Sequence, residues 1–164
     1  MRGLLVYLDT SSLVKRYIEE KGSQVIDKVY EEAEAGRITA AFSVWNIGEV
    51  LGVLDRYHTR KLISDGDLEA ALRFFASESM KLIRLNALQV LPMTSKNIIE
   101  SWLIVLRQHI YEADALQISS SKEAGCNLFL GADDRLIQAA QKEGLNALNV
   151  EIEPEKALKQ ITET

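Results

Sequence analysis

The run Leu4-Leu5-Val6-Tyr7-Leu8 is apolar at every position and stops on Asp9. A strand with one wet face would alternate polar and apolar residues. This one does not, so both its faces need cover, as in a parallel sheet between helical layers. Asn127-Leu128-Phe129-Leu130 is a second buried-strand candidate far along the chain. Ile38 to Phe42, Val90-Leu91-Pro92 and Leu145 to Val150 supply further short strands.

The stretches between them read as helices. Thr10, Ser11 and Ser12 are good caps for a helix beginning at Leu13-Val14, which leaves Asp9 free of that duty. Gly22-Ser23 opens a helix with Val25, Ile26, Val29 and Ala33 at helical spacing, closed at Gly36. Ser43 caps another that runs to about Arg60. A long one from near Asp65 to about Asn86 carries Leu68, Ala71, Leu72 and Phe75 on one stripe. Thr94-Ser95 starts the next. Two more run from about Tyr111 to Ala124, stopped by Gly125, and from Asp133 to Gly144, and a terminal helix starts near Pro154. Alternating strands and helices predict an α/β fold of three layers, α/β/α, around a central, mostly parallel sheet of about five strands.

Composition sets the frame for function. The 164 residues are 47% hydrophobic and 26% charged, with only two prolines, Pro92 and Pro154, and no linker-like tract, so 1–164 is expected to form a single domain. No apolar run approaches the ~18 residues of a membrane span. The opening run is also shorter than the roughly 7–15 residues of a signal-peptide core. The lone Cys126 cannot form an internal disulfide, which favours a cytoplasmic setting and leaves it the ordinary role of a small buried hydrophobe. A net charge of −5 argues against a non-specific coat for nucleic acid, which would be basic. It is compatible with an acidic pocket whose charge a bound cation neutralises.

Four acids stand out, each with an ordinary role beside the functional one. Asp9 ends a strand, and ligands in open parallel sheets bind beyond such ends. Glu49 lies opposite the expected core stripe of Ile47, Val50, Leu51 and Leu54, at ~100° per residue. Its helical neighbours include Trp45, Gly52 and Val53, and such a setting asks for a partner, either Arg56 or a metal. Asp114 has Ile110, Tyr111, Gln117 and Ile118 around it, with the helix dipole as the ordinary explanation. Of Asp133 and Asp134, one is a helix cap and the other is free for a ligand. Four carboxylates brought to one edge would repel and raise one another's pKa. A hard cation, Mg²⁺ or Mn²⁺, resolves that conflict, whereas His58, His109 and Cys126 lack zinc-ligand spacing.

Tyr7-Leu8-Asp9-Thr10-Ser11, Ser43-Val44-Trp45-Asn46-Ile47-Gly48-Glu49, Glu112-Ala113-Asp114-Ala115-Leu116 and Gly131-Ala132-Asp133-Asp134 resemble, in order and spacing, the four motif blocks of PIN-domain proteins. The size and the long helical insert most resemble VapC-type toxins. The resemblance implies a PIN-like fold over about residues 4 to 150 and a metal-dependent endoribonuclease. It also implies an RNA substrate, a homodimer, and a small antitoxin partner. It assigns Asp9, Glu49, Asp114 and Asp133 as catalytic, metal-binding acids and Ser11 as a supporting residue. Gly131 departs from the family's frequent Thr or Ser two positions before the fourth acid, so a hydroxyl contact is expected to be missing there. The other readings are a catalytically degenerate PIN module that only binds a protein or RNA, and a haloacid-dehalogenase-type phosphatase. The latter requires Asp where this chain has Ser11.

Overall fold

In the computed structural model, which describes residues 3–163, the chain begins with β1 (Leu4–Leu8) and α1 (Thr10–Leu13), the latter extended by a 3₁₀ turn at Val14–Arg16. There follow α2 (Ser23–Glu34), β2 (Ile38–Ser43), α3 (Val44–Thr59), α4 (Asp65–Arg84), β3 (Leu88–Leu91) and α5 (Ser95–Gln108). Then come α6 (Glu112–Ala124), β4 (Leu128–Gly131), α7 (Asp134–Lys142), β5 (Ala147–Asn149) and α8 (Pro154–Thr162). All strand pairings are parallel, in the order β3-β2-β1-β4-β5.

The unbroken apolar runs do what period-two geometry requires. Val6 and Leu8 of β1 join Phe42, Leu128 and Leu130 in one core, covered by α2, α3, α4 and α8 through residues such as Val25, Leu54, Phe75 and Ile161. Tyr7, Ala41 and Phe129 face the other way and pack with Ile104 of α5, Ile118 of α6 and Ile137 of α7. The Tyr7 and Phe129 rings stack at 5.2 Å across the β1–β4 pair. Three layers result, with β1 at the centre. The chain leaves β1 toward β2 and β3, then returns to its other side for β4 and β5. The carboxyl ends of β1 and β4 therefore flank a switch point, where such sheets leave a crevice.

Several expected boundaries shift. The first helix starts at Thr10 rather than Leu13, and Asp9 is itself the N-cap, accepting the Ser12 N–H at 2.7 Å. A residue leaving a strand is already extended, as a cap must be, so Asp9 takes the position ahead of the hydroxyl residues. β3 lies at Leu88–Leu91 and excludes Pro92, which has no N–H to give a ladder. On α3, Val50 and Leu54 are fully buried, but Leu51 is 45% exposed, so the core stripe is narrower than the periodicity suggested. Among the described residues no helix is long and apolar enough to cross a membrane.

One buried ion pair holds α4 to the rest. Glu78 accepts from Arg16 Nη2 at 2.5 Å and Nε at 3.1 Å and from the Tyr17 hydroxyl at 3.1 Å, while Arg16 also pairs with Asp27 at 2.7 Å. Deleting one member of such a pair strands the other. Glu78→Ala is expected to lower stability by about 2–3 kcal/mol, less than for a fully enclosed pair because Arg16 keeps Asp27 and some solvent. Urea unfolding monitored by circular dichroism measures it, and a loss under about 0.5 kcal/mol would show that the pair does not hold α4.

Candidate functional site

A cleft of about 780 Å³ opens at the switch point, and Asp9, Glu49, Asp114 and Asp133 all line it. Each comes from a different place: the end of β1, the middle of α3, the first turn of α6, and the residue capping α7. Ser11 lines it as well. His58, paired with Asp65 at 2.5 Å, is not among the lining residues, nor is His109, the left-handed C-cap of α5. Cys126 is half-buried against the second core, and burial pushes its thiol up to about 11.

Asp9 is held from several sides. Its Oδ1 accepts the Ser12 N–H, and the Ser11 hydroxyl lies 2.8 and 2.7 Å from its two carboxylate oxygens, giving them its single proton. Ser11 Oγ in turn accepts the Ala132 N–H at 2.9 Å, tying the loop after β1 to the loop after β4. Gly131 makes room for this arrangement. A Cβ there would stand 2.8 Å from Asp9 Oδ2 and 3.0 Å from its carboxyl carbon. Position 131 offers no hydroxyl to the site, and a side chain there would crowd the Asp9 carboxylate, while the neighbouring Ala132 N–H is served by Ser11.

Glu49 is held by residues that the sequence reading did not single out. Its Oε2 accepts from Thr10 Oγ1 at 2.6 Å and from Gln117 Nε2 at 3.4 Å. Asn46, fully buried, donates to Thr10 Oγ1 at 3.0 Å and to Gln117 Oε1 at 2.7 Å, and accepts from the Tyr7 hydroxyl at 2.7 Å and from Ser43. The only local mark of this chain is the Ser43-x-x-Asn46 capping box. Arg56, the structural competitor considered for Glu49, forms no ion pair with it.

Asp133 caps α7, accepting the Leu136 N–H at 2.9 Å, and still lines the cleft, so capping and facing the ligand fall on one residue. Asp134 is engaged elsewhere by Asn149 Nδ2 at 2.8 Å. No described residue donates a hydrogen bond to the Asp114 carboxylate. Burial pushes Asp114 up to about 6, with further upward pressure from Asp133 and Glu49 and relief from Arg135. Burial likewise pushes Asp9 up to about 6, against the hydrogen bonds from Ser11 and Ser12.

Among the described residues, no three His, Cys, Asp or Glu side chains stand close enough together to hold a metal ion as they are. The donor set still suits one. Every donor is a carboxylate oxygen, the charges repel across a shared cleft, and two of them resist ionising. A hard divalent cation removes each of those penalties.

A family model described as the PIN domain matches residues 6–142. Solved structures with the same fold include PAE2754 from Pyrobaculum aerophilum, with a TM-score of 0.64, 16% identity and 99% of each chain covered. VapBC2 from Rickettsia felis, bound to a DNA fragment from their promoter, aligns with a TM-score of 0.61 and 14% identity over 89% of this chain and 98% of that one. Mycobacterium tuberculosis VapC20, a Sarcin-Ricin loop cleaving toxin, aligns with a TM-score of 0.58 and 16% identity over 82% of this chain and 94% of the other. No curated protein matches the sequence.

Proposed function

Because the chain belongs to the PIN domain family, we propose that it is a divalent-metal-dependent endoribonuclease, the toxin of a VapBC-type toxin–antitoxin pair. One observation carries the reading: four carboxylates from four separate elements open onto a single cleft at the switch point. Asp9, Glu49, Asp114 and Asp133 would hold Mg²⁺ or Mn²⁺ through oxygen alone. Such an ion, when bound, lowers the pKa of water and shields charge on the phosphate.

The chain's own residues do the rest. Ser11 and the Ser12 N–H fix the Asp9 carboxylate, and Thr10 and Gln117 fix one oxygen of Glu49. Asp114 receives no hydrogen bond from a described residue, so its carboxylate oxygens are open to the ion. RNA incubated with the purified protein is expected to be cut with Mg²⁺ or Mn²⁺ and spared with EDTA. Intact RNA under either ion, with a protein partner still bound, would leave the degenerate PIN module as the better reading.

A pH experiment probes the same acids without RNA. Folding raises Asp9 and Asp114 to about 6, above the ordinary value of about 4. The folded, metal-free chain therefore holds these protons more tightly than the unfolded one. That stabilisation is complete below about pH 4 and is lost as pH rises through about 6. In EDTA, Asp114→Asn is expected to melt with the wild type at pH 5 and a few degrees above it at pH 8. Mn²⁺ should raise the wild-type Tm at pH 8, and less so below pH 6, where protons compete. A Tm difference that stays flat across this range contradicts the assignment.

The homodimer and the small antitoxin belong to the same proposal. Ile99, Trp102, Leu103 and Leu106 of α5 are 47–71% exposed and form an apolar stripe suited to a second copy. The likeness in fold to VapBC2 supports the toxin role.

A further inference from the structure

The stripe of α3 that carries Glu49 continues in both directions. Trp45, Gly52, Arg56 and Arg60 lie within about 60° of Glu49 around the helix axis, and all line the same cleft. Arg56 and Arg60 are exposed, and their guanidiniums form no ion pair or hydrogen bond with a described residue, although Asp9, Glu20, Glu49, Asp114, Asp133 and Glu151 share their cleft. Lys15, the other cation lining it, is locked between Glu20 at 3.1 Å and Glu151 at 2.6 Å. Arg56 lies over Gly52, where a Cβ would be 3.6 Å from its Nη1. Arg56 and Arg60 are about 6 Å apart along the axis, and about 10 and 16 Å beyond Glu49, so they sit past the acids rather than on them. One turn to the other side of Glu49, the Trp45 indole is 42% exposed, and a Cβ at neighbouring Gly48 would meet nothing within 4 Å. A flat aromatic face with open space on one side of the acids, and two uncommitted guanidiniums on the other, match a base and a backbone respectively.

We propose that this face of α3 is the recognition track of the cleft and that it takes single-stranded RNA. Trp45 stacks an unpaired base, while Arg56 and Arg60 hold two phosphates of the same strand. The inference rests on the ribonuclease reading and deepens it. A duplex keeps its bases stacked on each other and offers none to the indole.

The chain has two tryptophans, and Trp102 lies on α5 away from the cleft, so Trp102→Phe leaves Trp45 as the sole indole reporter. In that background, with Ca²⁺ in place of Mg²⁺, a mixed-sequence RNA decamer is expected to quench the fluorescence. It should bind at least ~10-fold more tightly than the same decamer annealed to its complement. Arg56→Ala with Arg60→Ala should weaken binding and reduce the slope of log K against log salt by about 1.4, roughly 0.7 for each phosphate lost. Absence of quenching, equal binding of duplex, or an unchanged slope overturns the proposal. So does equal quenching by poly-glutamate, which would make the track a site for acidic peptide. Quenching by the decamer without cleavage in Mg²⁺ or Mn²⁺ sinks the nuclease reading and leaves the track. Cleavage without quenching does the reverse.

Discussion

Asp9→Asn is expected to cut RNA cleavage by roughly 10²–10⁴-fold while the protein stays folded and melts at or above the wild-type temperature at neutral pH. The side chain is 1% exposed and burial pushes its pKa up to about 6, so ionisation at neutral pH works against folding. An amide keeps the Oδ1 that accepts the Ser12 N–H, and its NH₂ can donate to the Ser11 hydroxyl in place of accepting from it. Stability is thus retained or gained while a negative charge is lost from the cleft. That pattern separates a functional carboxylate from a structural one. Parallel measurement of Mn²⁺-supported cleavage and thermal melting decides it. Activity within tenfold of wild type removes Asp9 from the site, and a lowered Tm makes it chiefly a cap.

Gly131→Ala tests the same carboxylate from the opposite strand. The added methyl would meet Asp9 Oδ2 at 2.8 Å and would also crowd Ile137 Cδ1 at 3.2 Å. Overpacking of this kind costs about 1–3 kcal/mol. Since Asp9 is the atom group displaced, cleavage is expected to fall by about 100-fold, as when a supporting contact in a metal site is lost. Gly48→Ala is the control. It sits in the interior of α3 with open space beyond it, and should change stability by under about 1 kcal/mol, on the stabilising side. If Gly131→Ala retains both full stability and full cleavage, Asp9 has freedom that its hydrogen bonds do not suggest.

These residues also mark how far the sequence could be read. β1 and β4 were legible because an unbroken apolar run has one physical explanation, and a carboxylate at its end is conspicuous. The capping role of Asp9 was not, since Thr10, Ser11 and Ser12 are equally able caps and only the chain's path out of β1 selects among four candidates. The support of Glu49 by Asn46 and Gln117 spans 71 residues, and its one local mark, the Ser43-x-x-Asn46 capping box, does not point to Glu49. Gly131 was read only against the family's frequent Thr or Ser at that place, and its close approach to Asp9, which follows β1, had no mark in the sequence. Steric demand from across a sheet is invisible in one dimension.

The bond from Ala132 N–H to Ser11 Oγ joins residues 121 positions apart. During synthesis at about 5–20 residues per second, the first acid therefore waits on the order of 10 s before β4 exists to pair with β1. Until then the cleft has no second wall and Asp133 has not been made. The cleft that brings the four acids together is therefore completed only after β4 has been made.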